Sequence, residues 1–383
     1  MCRRILLTYS LALTLLAAPV VSQEGRLTAV LEDFHERYAF PGATAAIALP
    51  DGTVLTAATG LADVEAGRDM TPETPMLAAS IGKSFVAATV LALESEGRLS
   101  RDDLASVHLG DRPWFDALPN AATMTIDHLL HHTSGLPDHV HLPEFQQAWA
   151  GLVSERGFDP EDLMAFVARR EPLFEAGEAW AYSDTGYVLL GLVIEDVTGE
   201  AWHEAVRTRL LGPLALDVTL PSDRPDLPGL AVGYVDPDNP FGLPTRTADA
   251  EGQLLWNPGV ESAGGGFAST STDLARWGHL LFRGEAMPHP YLDRLLDGVP
   301  VDEEVPGILF GAGVAIYADT PRGPVYGHGG WIPAYVSSLR HYAAHGVTVA
   351  FQINTDVGIA DDTSDFVPAL EAALADLAIS LIR

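Results

Sequence analysis

The chain has 383 residues, of which 52 are acidic and 22 are lysine or arginine, so its formal net charge is −30 at pH 7. A surface this acidic repels polyanions, and we therefore expect neither a nucleic-acid partner nor a stable association with anionic lipid. Hydrophobic residues make up 47% of the sequence. This fraction supplies a large core and excludes an intrinsically disordered acidic protein.

The first 22 residues are typical of a secretory signal peptide. Arg3 and Arg4 precede a largely apolar stretch, Ile5–Val21, and the single cysteine, Cys2, lies in the same segment. The alternative is an uncleaved membrane anchor, but the stretch is short and is interrupted by Pro19. We expect a periplasmic or secreted protein whose mature domain, residues 23–383, has no disulfide and no membrane insertion after cleavage.

The mature chain begins with a predicted helix and a predicted hairpin. Its hydrophobic spacing favours an amphipathic helix over Leu27–Tyr38, and two strand-like segments, Ala43–Ile47 and Thr53–Ala58, flank the turn residues 50–52. A longer segment, Ser80–Glu96, is apolar on nearly all sides. This pattern predicts a helix buried at the centre of the molecule.

The middle of the chain, from about residue 100 to 220, is predicted to be mostly helical. The clearest helices there are Ile126–His131, Pro160–Arg169, Thr185–Val197 and Trp202–Leu211. The segment 221–266 is rich in proline, glycine and aspartate and has little periodicity. A loop region of this length in a compact domain usually lines a functional site.

Strand-like patterns return near the C-terminus. They cover Ala312–Ile316, Pro324–His328, Tyr335–His341 and Val347–Gln352, and a helix is predicted over Phe366–Leu381. We therefore expect a mixed α/β (α+β) fold: one antiparallel sheet built from both chain ends and flanked by helices. A mostly helical subdomain, from about residue 100 to 250, is inserted between the two halves of the sheet.

Lys83 is the only lysine in the chain and follows Ser80 by three residues at the start of the predicted buried helix. Residues at this spacing share a helix face. A lysine can take the proton of a serine hydroxyl only when it is neutral, and burial lowers its pKa in that direction. We therefore expect a neutral Lys83 beside a nucleophilic Ser80; the alternative is a capping serine with an ordinary lysine.

Two further motifs follow in order, Tyr182-Ser183-Asp184 and His328-Gly329-Gly330. With Ser80-Ile81-Gly82-Lys83, they resemble the three motifs of the serine hydrolases with the penicillin-recognising fold: Ser-x-x-Lys, Tyr-x-Asn, and Lys-Thr-Gly or a His-x-Gly variant. Residues 130–136 and 264–269 also resemble the branch of class C β-lactamases, D-alanyl-D-alanine carboxypeptidases, D-aminopeptidases and related esterases. The resemblance covers nearly the whole mature chain.

The resemblance implies a role for each motif. Ser80 is the expected nucleophile, and Lys83 with Tyr182 is the expected base system, in which the sequence does not decide which group takes the proton. The backbone N–H groups of Ser80 and Trp331 are the expected oxyanion donors. The glycines at 329 and 330 allow a substrate backbone to approach the strand.

The chain departs from the family pattern at two positions. Asp184 stands where asparagine is usual. Capping the helix that begins near residue 185 is as good an interpretation of Asp184 as a role in catalysis. His328 replaces the lysine of the third motif, which removes a fixed positive charge and weakens the case for substrates ending in a carboxylate. Both changes argue against efficient β-lactam hydrolysis.

Other catalytic arrangements are less well supported. A group of histidines is close enough in sequence to consider a metal site: His128, His131, His132, His139 and His141. However, two of them belong to the family-like His-Thr-Ser-Gly stretch. The Gly-x-Ser-x-Gly pattern of α/β-hydrolases is missing from the sequence, as is a complete phosphate-binding loop. We expect no metal and no organic cofactor.

The sequence therefore predicts an exported serine acyl-hydrolase acting on a small-molecule or peptide amide or ester. In order of preference the substrates are D-amino-acid peptides, including carboxypeptidase substrates, then small esters, then β-lactams. The alternative of a different class is a penicillin-binding-like receptor that acylates slowly or not at all. The intact Ser80, Lys83 and Tyr182 argue against that alternative.

Overall fold

The computed structural model describes residues 22–150, 158–302, 304–359 and 363–383. The predicted signal peptide lies outside the described residues except for Ser22. The Ser22 side chain accepts a hydrogen bond from the Gly25 N–H at 3.0 Å and so caps the first helix. Among the described residues, no helix combines the length and the apolar character needed to cross a membrane.

The helices of the described part are distributed along the chain between the strands. They are α1 (Gln23–Tyr38), α2 (Gly82–Ser95), α3 (Ser106–Leu109), α4 (Ile126–Leu130), α5 (Pro143–Ala150), α6 (Pro160–Val167), α7 (Asp184–Thr198), α8 (Trp202–Val206), α9 (Ser271–Phe282), α10 (Leu292–Leu295) and α11 (Phe366–Leu381). A π-helical turn, Arg207–Leu211, extends α8, and 3₁₀ turns at Ala79–Ile81 and Pro258–Gly264 matter for the site.

Most of the strands belong to the two ends of the chain, and a few short ones lie between them. They are β1 (Gly42–Ala48), β2 (Val54–Asp63), β3 (Arg68–Asp69), β4 (Met76–Leu77), β5 (Leu220–Pro221), β6 (Phe267–Ser269), β7 (Val299–Pro300), β8 (Ile308–Phe310), β9 (Ala315–Tyr317), β10 (Val325–Ile332), β11 (Tyr335–Tyr342) and β12 (Val347–Ile353). The main sheet has the order β3-β2-β1-β12-β11-β10-β9-β8-β7, and a small sheet has the order β4-β6-β5.

The main sheet is antiparallel and joins the two ends of the chain. Strand β1 lies between β2 and β12, so that Ala45 is opposite Ala57 on one side and Phe351 on the other. The first hairpin closes at Asp51, whose carboxylate accepts the Thr53 N–H at 2.9 Å. This confirms the predicted α/β (α+β) fold with one antiparallel sheet built from both termini.

Helices cover both faces of the sheet. Helices α1 and α11 pack on one face, where Leu27, Leu31, Phe351 and Leu374 belong to a buried apolar cluster. On the other face α9 contacts the central strands, and α2 crosses behind it in the larger cluster that also contains the helical insert. The layered arrangement buries α2 on nearly all sides, as its sequence predicts.

The observed elements differ from the predicted ones mainly at their ends. Helix α2 is preceded by the 3₁₀ turn Ala79–Ile81, so Ser80 lies on a tight turn before the α-helix begins. Strand β10 continues beyond the predicted end at His328 as far as Ile332. Apart from β9, which overlaps the predicted segment Ala312–Ile316, the strands of two or three residues were not predicted, because such short segments carry no measurable periodicity.

Candidate active site

Ser80 is positioned by a strained turn that leads into α2. The preceding residue, Ala79, has a φ of 49°, a left-handed conformation that non-glycine residues seldom adopt. The turn packs against β10, and Ser337 of β11 donates its hydroxyl to the Ala78 carbonyl at 2.8 Å. Ser80 thus faces a cavity that also borders β10.

Two glycines allow the chain to pack closely around this turn. A Cβ at Gly82 would lie 1.7 Å from the carbonyl oxygen of Gly265, and a Cβ at Gly330 would lie 2.3 Å from the carbonyl oxygen of Ala78. No side chain fits at either distance. Gly82 and Gly330 are therefore required by the backbone packing that holds Ser80 in place.

Lys83 is fully buried, and its ammonium group is surrounded by oxygen atoms. Nζ donates to Ser80 Oγ at 3.2 Å, and it also donates to the Asp184 carboxylate and to the carbonyl oxygen of Gly264. An ammonium has three protons to donate, and three acceptors are present. The geometry is therefore that of a charged lysine.

The prediction of a neutral Lys83 is wrong for this resting arrangement. Burial is the largest single effect and lowers the pKa of the Lys83 ammonium, but the charges and hydrogen bonds of Asp184 and Tyr182 together raise it more, so the net pKa lies above the ordinary value. The sequence argument considered burial alone. It did not include a carboxylate brought to the lysine from a position 101 residues further along the chain.

Asp184 does not cap α7. Ser183 occupies the cap position and Asp184 is the first residue of the helix, where a carboxylate also interacts favourably with the helix dipole. Its side chain instead pairs with Lys83. The capping interpretation of Asp184 is thus wrong, and the replacement of asparagine by aspartate changes the charge next to the only lysine of the chain.

Tyr182 lies on the segment just before α7, with its ring centroid 4.9 Å from Lys83 Nζ. Its hydroxyl is buried and makes no hydrogen bond of ordinary geometry within the described part of the chain. Burial raises the pKa of the Tyr182 phenol, while the Lys83 charge acts in the opposite direction. The resting group is therefore a neutral phenol beside an ammonium.

His328 lies on β10 with its ring centroid 6.0 Å from that of Tyr182. Nδ1 is bound to the Gly329 carbonyl oxygen, and because a carbonyl only accepts, the proton of the neutral ring is on Nδ1. Burial, with a contribution from the Lys83 charge, lowers the pKa of His328 to about 3. His328 thus supplies no positive charge to the site.

The cavity in front of Ser80 has a volume of about 850 Å³. One wall is aromatic and includes Phe145, Trp149, Phe241 and Trp331, the last of which is 37% exposed at the cavity surface. Of these, only Trp331 was predicted as a site residue, through its backbone N–H and not its ring. Phe241 comes from the long loop region 221–266, which the sequence did predict to line a site.

Two carboxyl groups that the sequence analysis did not identify also line the cavity. Asp138 Oδ2 and Glu261 Oε2 are both buried without a hydrogen-bond partner among the described residues. Burial, with the nearby Asp184 charge, raises the pKa of Asp138 to about 7. Burial raises the pKa of Glu261 to about 8, against the opposing effect of the Lys83 charge. No local spacing marks these residues, because tertiary packing alone brings them to Ser80.

The clustered histidines serve separate local contacts. His131 Nδ1 contacts the Asp127 carbonyl at 2.9 Å, His132 Nδ1 accepts the Ser183 N–H at 3.2 Å, and His139 Nδ1 contacts Thr185 Oγ1 at 3.0 Å. Across the described residues, no group of three histidine, cysteine or acidic side chains is arranged to hold a metal ion.

The fold is that of the serine hydrolases of the β-lactamase and transpeptidase class. A D-stereospecific amidohydrolase from Streptomyces sp. superposes with a TM-score of 0.74 at 27% identity, over 86% of this chain and 94% of that one. Residues 27–374 match the sequence profile of the Beta-lactamase family, and the chain belongs to this family. The fold and the family match together identify the protein as a serine hydrolase.

Two relatives show the range of the family. Penicillin-binding protein 4* of Bacillus subtilis (strain 168) is 26% identical over 86% of this chain and 71% of its own length. Esterase EstB of Burkholderia gladioli is 32% identical over 54% of this chain and 54% of its own length. The resemblance stated from the sequence motifs is therefore confirmed at the level of the family.

Proposed function

We propose that the protein is an exported serine acyl-hydrolase that forms an acyl-enzyme on Ser80 and acts on amides or esters of D-amino acids. The observation that carries the proposal is the hydrogen bond of 3.2 Å between Ser80 Oγ and the buried Lys83 Nζ, at the edge of a cavity of about 850 Å³. A nucleophile beside a group that can take its proton is the minimum requirement for covalent acyl transfer.

In the proposed reaction, Ser80 Oγ attacks the substrate carbonyl and its proton passes to the Lys83/Tyr182 pair once Lys83 has lost its extra proton. The oxyanion is held by the backbone N–H groups of Ser80 and Trp331. Collapse of the intermediate expels an amine or alcohol, which takes the proton back. Water then attacks the acyl-enzyme with the same pair as base and releases the acid.

The polar groups that line the cavity favour a substrate with a free ammonium group over one with a carboxylate, because the described lining residues offer unpartnered carboxyl oxygens and no unpaired cation. The cavity carries the unpaired carboxyl oxygens of Asp138 and Glu261. Arg340, the single lysine or arginine among the described residues that line the cavity, is paired with Glu371 at 3.2 Å. His328 is neutral. A D-aminoacyl amide therefore fits better than a carboxypeptidase substrate or a β-lactam, whose carboxylates find no free cation.

The aromatic wall supports the same substrate class. Trp149 and Phe241 lie with ring centroids 4.4 Å apart, and Phe241 lies 6.2 Å from Trp331. Such a surface accommodates an apolar side chain. The D-stereospecific amidohydrolase among the structural relatives is consistent with this assignment, and Esterase EstB keeps small esters as the second candidate.

A substrate panel tests the proposal. D- and L-phenylalanine amide, p-nitrophenyl acetate, a D-alanyl-D-alanine peptide and nitrocefin are assayed with the wild type, with Ser80→Ala and with Ser84→Ala. Ser84 is a matched control, because its hydroxyl is bound to Trp277 Nε1 at 2.8 Å and to the Ile81 carbonyl at 2.7 Å. We expect turnover of the D-amide in the wild type and the control, and none in Ser80→Ala.

Three results would contradict the proposal. Hydrolysis that persists in Ser80→Ala removes the nucleophile assignment. Preference for the D-alanyl-D-alanine peptide or nitrocefin over the D-amide removes the substrate assignment. Absence of both hydrolysis and labelling by a fluorescent penicillin removes the enzyme assignment. Export is tested separately by sequencing the N-terminus of the protein recovered from the periplasm or medium, which we expect to begin near Gln23.

A further inference from the structure

We propose that His132 is a positioning residue for Tyr182. Its carbonyl oxygen and its ring accept the backbone N–H groups of the residues on either side of Tyr182, and its ring packs on the phenol. The inference rests on the proposed function, in which Tyr182 belongs to the base system. His132 does not line the cavity with Ser80, and its role is to act through Tyr182.

The backbone on both sides of Tyr182 is bound to His132. The Ala181 N–H donates to the His132 carbonyl at 3.0 Å, and the Ser183 N–H donates to His132 Nδ1 at 3.2 Å. One residue thereby fixes the segment immediately before and immediately after the tyrosine. A shift of this segment would move the phenol relative to Ser80 and Lys83.

The hydrogen bond to Ser183 also determines the form of the ring. A backbone N–H only donates, so His132 Nδ1 is the unprotonated nitrogen and the proton of the neutral ring is on Nε2. Burial, with a contribution from the Lys83 charge, holds the pKa of His132 well below its ordinary value. The acceptor nitrogen is therefore unprotonated at neutral pH.

The ring of His132 also contacts the phenol directly. The centroids of the His132 and Tyr182 rings are 4.3 Å apart, and those of His132 and Phe310 are 4.6 Å apart. The Tyr182 hydroxyl makes no hydrogen bond of ordinary geometry among the described residues, although Lys83 and Ser80 lie within reach of it. The ring contact and the two flanking hydrogen bonds therefore contribute directly to locating the side chain.

His132 holds this position at a conformational cost. Its φ is 58°, in the left-handed region where non-glycine residues are uncommon. Strained backbone of this kind persists where the surrounding contacts over-determine it, and it is frequent at functional sites. Here the strained residue is the one that contacts both sides of Tyr182.

Three variants separate positioning from a purely structural role. His132→Phe keeps an aromatic ring but removes the acceptor for Ser183. His132→Asn restores an acceptor and tolerates a positive φ. His131→Asn is the matched control, because His131 is equally buried but its Nδ1 contacts the Asp127 carbonyl within its own helical turn. Each is assayed on the substrate turned over by the wild type, with active sites counted by a serine-directed fluorophosphonate.

We expect His132→Phe to lower kcat per titrated site by about 10- to 100-fold, with KM changed by less than about threefold. The alkaline rise of its pH–kcat profile shifts, since the phenol and Lys83 titrate together. His132→Asn recovers at least about a tenth of wild-type kcat. His131→Asn keeps kcat within about twofold of the wild type, even where it lowers the melting temperature.

The inference is overturned if His132→Phe has wild-type kcat and pH profile, or if His131→Asn loses kcat to the same extent. Should His132→Phe not fold, the same measurements are made on His132→Ala, for which wild-type kcat has the same meaning. If the wild type itself turns over no acyl substrate, the proposed function fails together with this role. Turnover in the wild type with unaltered kcat in the His132 variants removes the role of His132 alone.

Discussion

The carboxylate of Asp184 and the ammonium of Lys83 form a direct ion pair next to Ser80. The family pattern has a neutral amide at position 184, whereas this chain has a group that carries a negative charge. The pKa of Lys83 is raised because the Asp184 carboxylate and Tyr182 together stabilise the ammonium more than burial destabilises it. The base form of the lysine is therefore reached at a higher pH than in a site with asparagine.

Replacing Asp184 by asparagine should move the activity to lower pH. The charge that raises the Lys83 pKa is lost while burial still lowers it, so the neutral base appears earlier as pH rises. We expect the rising limb of the pH–kcat/KM profile to shift down by about one unit or more. The control is Asp196→Asn on the same helix. The Asp196 side chain is 44% exposed and pairs with His108. A limb that stays at the wild-type pH would show that Lys83 does not control it.

Lys83→Arg should abolish turnover. Arginine keeps the positive charge and can pair with Asp184, but it cannot give up a proton and so cannot take one from Ser80. We expect kcat below about a hundredth of the wild-type value, with folding checked by thermal unfolding. Activity above about a tenth of wild type would count against any role of Lys83 as a base.

Glu261→Gln should change how stability depends on pH. The pKa of Glu261 is raised from 4.5 to about 8, so the folded protein keeps the proton that the unfolded chain has lost, and stability falls as pH rises through this window. The glutamine variant lacks this loss. We expect the unfolding free energy of the variant to rise relative to that of the wild type by about 1.4 kcal/mol per pH unit between these pKa values.

Urea unfolding at pH 5, 6.5 and 8 measures this difference between the two proteins. Taking the difference removes the contributions of other groups that titrate in the same range, such as Asp138. A difference in unfolding free energy that is constant from pH 5 to pH 8 would mean that Glu261 is already ionised at the lowest of these values.

Gly330→Ala and Gly329→Ala form a matched pair on β10. A Cβ at 330 would lie 2.2 Å from Ser337 Oγ and 2.3 Å from the Ala78 carbonyl oxygen, whereas a Cβ at 329 meets nothing closer than 3.7 Å. We expect Gly330→Ala to lower the unfolding free energy by about 2 kcal/mol and kcat/KM by about tenfold or more, because the turn carrying Ser80 is displaced.

Gly329→Ala is expected to stay within about 0.5 kcal/mol of the wild type and to keep its activity, since the added methyl has room. Chemical denaturation and steady-state kinetics on both variants check the pair. Equal losses in the two variants would indicate a general sensitivity of β10 to side chains, and the packing against Ala78 would then not be the cause.

Local features of the sequence predicted much of the fold. Helix α11 has the predicted bounds, because apolar residues recur over its whole length and its proline, Pro368, lies in the first turn, where a missing N–H is tolerated. The first hairpin follows from two strand-like segments around the turn at Asp51. The contact between Ser80 and Lys83 follows from their spacing of three residues at the start of a buried helix.

The contacts of the site that depend on distant segments were not predicted. Glu261 and Asp138 approach Ser80 from two separate parts of the chain, and nothing in their immediate neighbours marks them. Asp184 was identified from its motif, but its ion pair with Lys83 was not predicted. The same limitation explains the wrong direction of the Lys83 pKa. Burial is visible in the apolar pattern of α2, but an opposing carboxylate is known only when the fold brings it to the lysine.

The pairing of β1 with β12 has a consequence for how the molecule is made. Ala45 and Phe351 face one another across the centre of the sheet, so this strand pair cannot form on a ribosome until the last part of the chain has emerged. The helices between β1 and β12 form their backbone hydrogen bonds within short stretches of the chain and are free to form earlier. Premature termination before β12 would leave β1 with an open edge able to pair with another nascent chain, so stop codons late in the gene should produce aggregation rather than a partly active product.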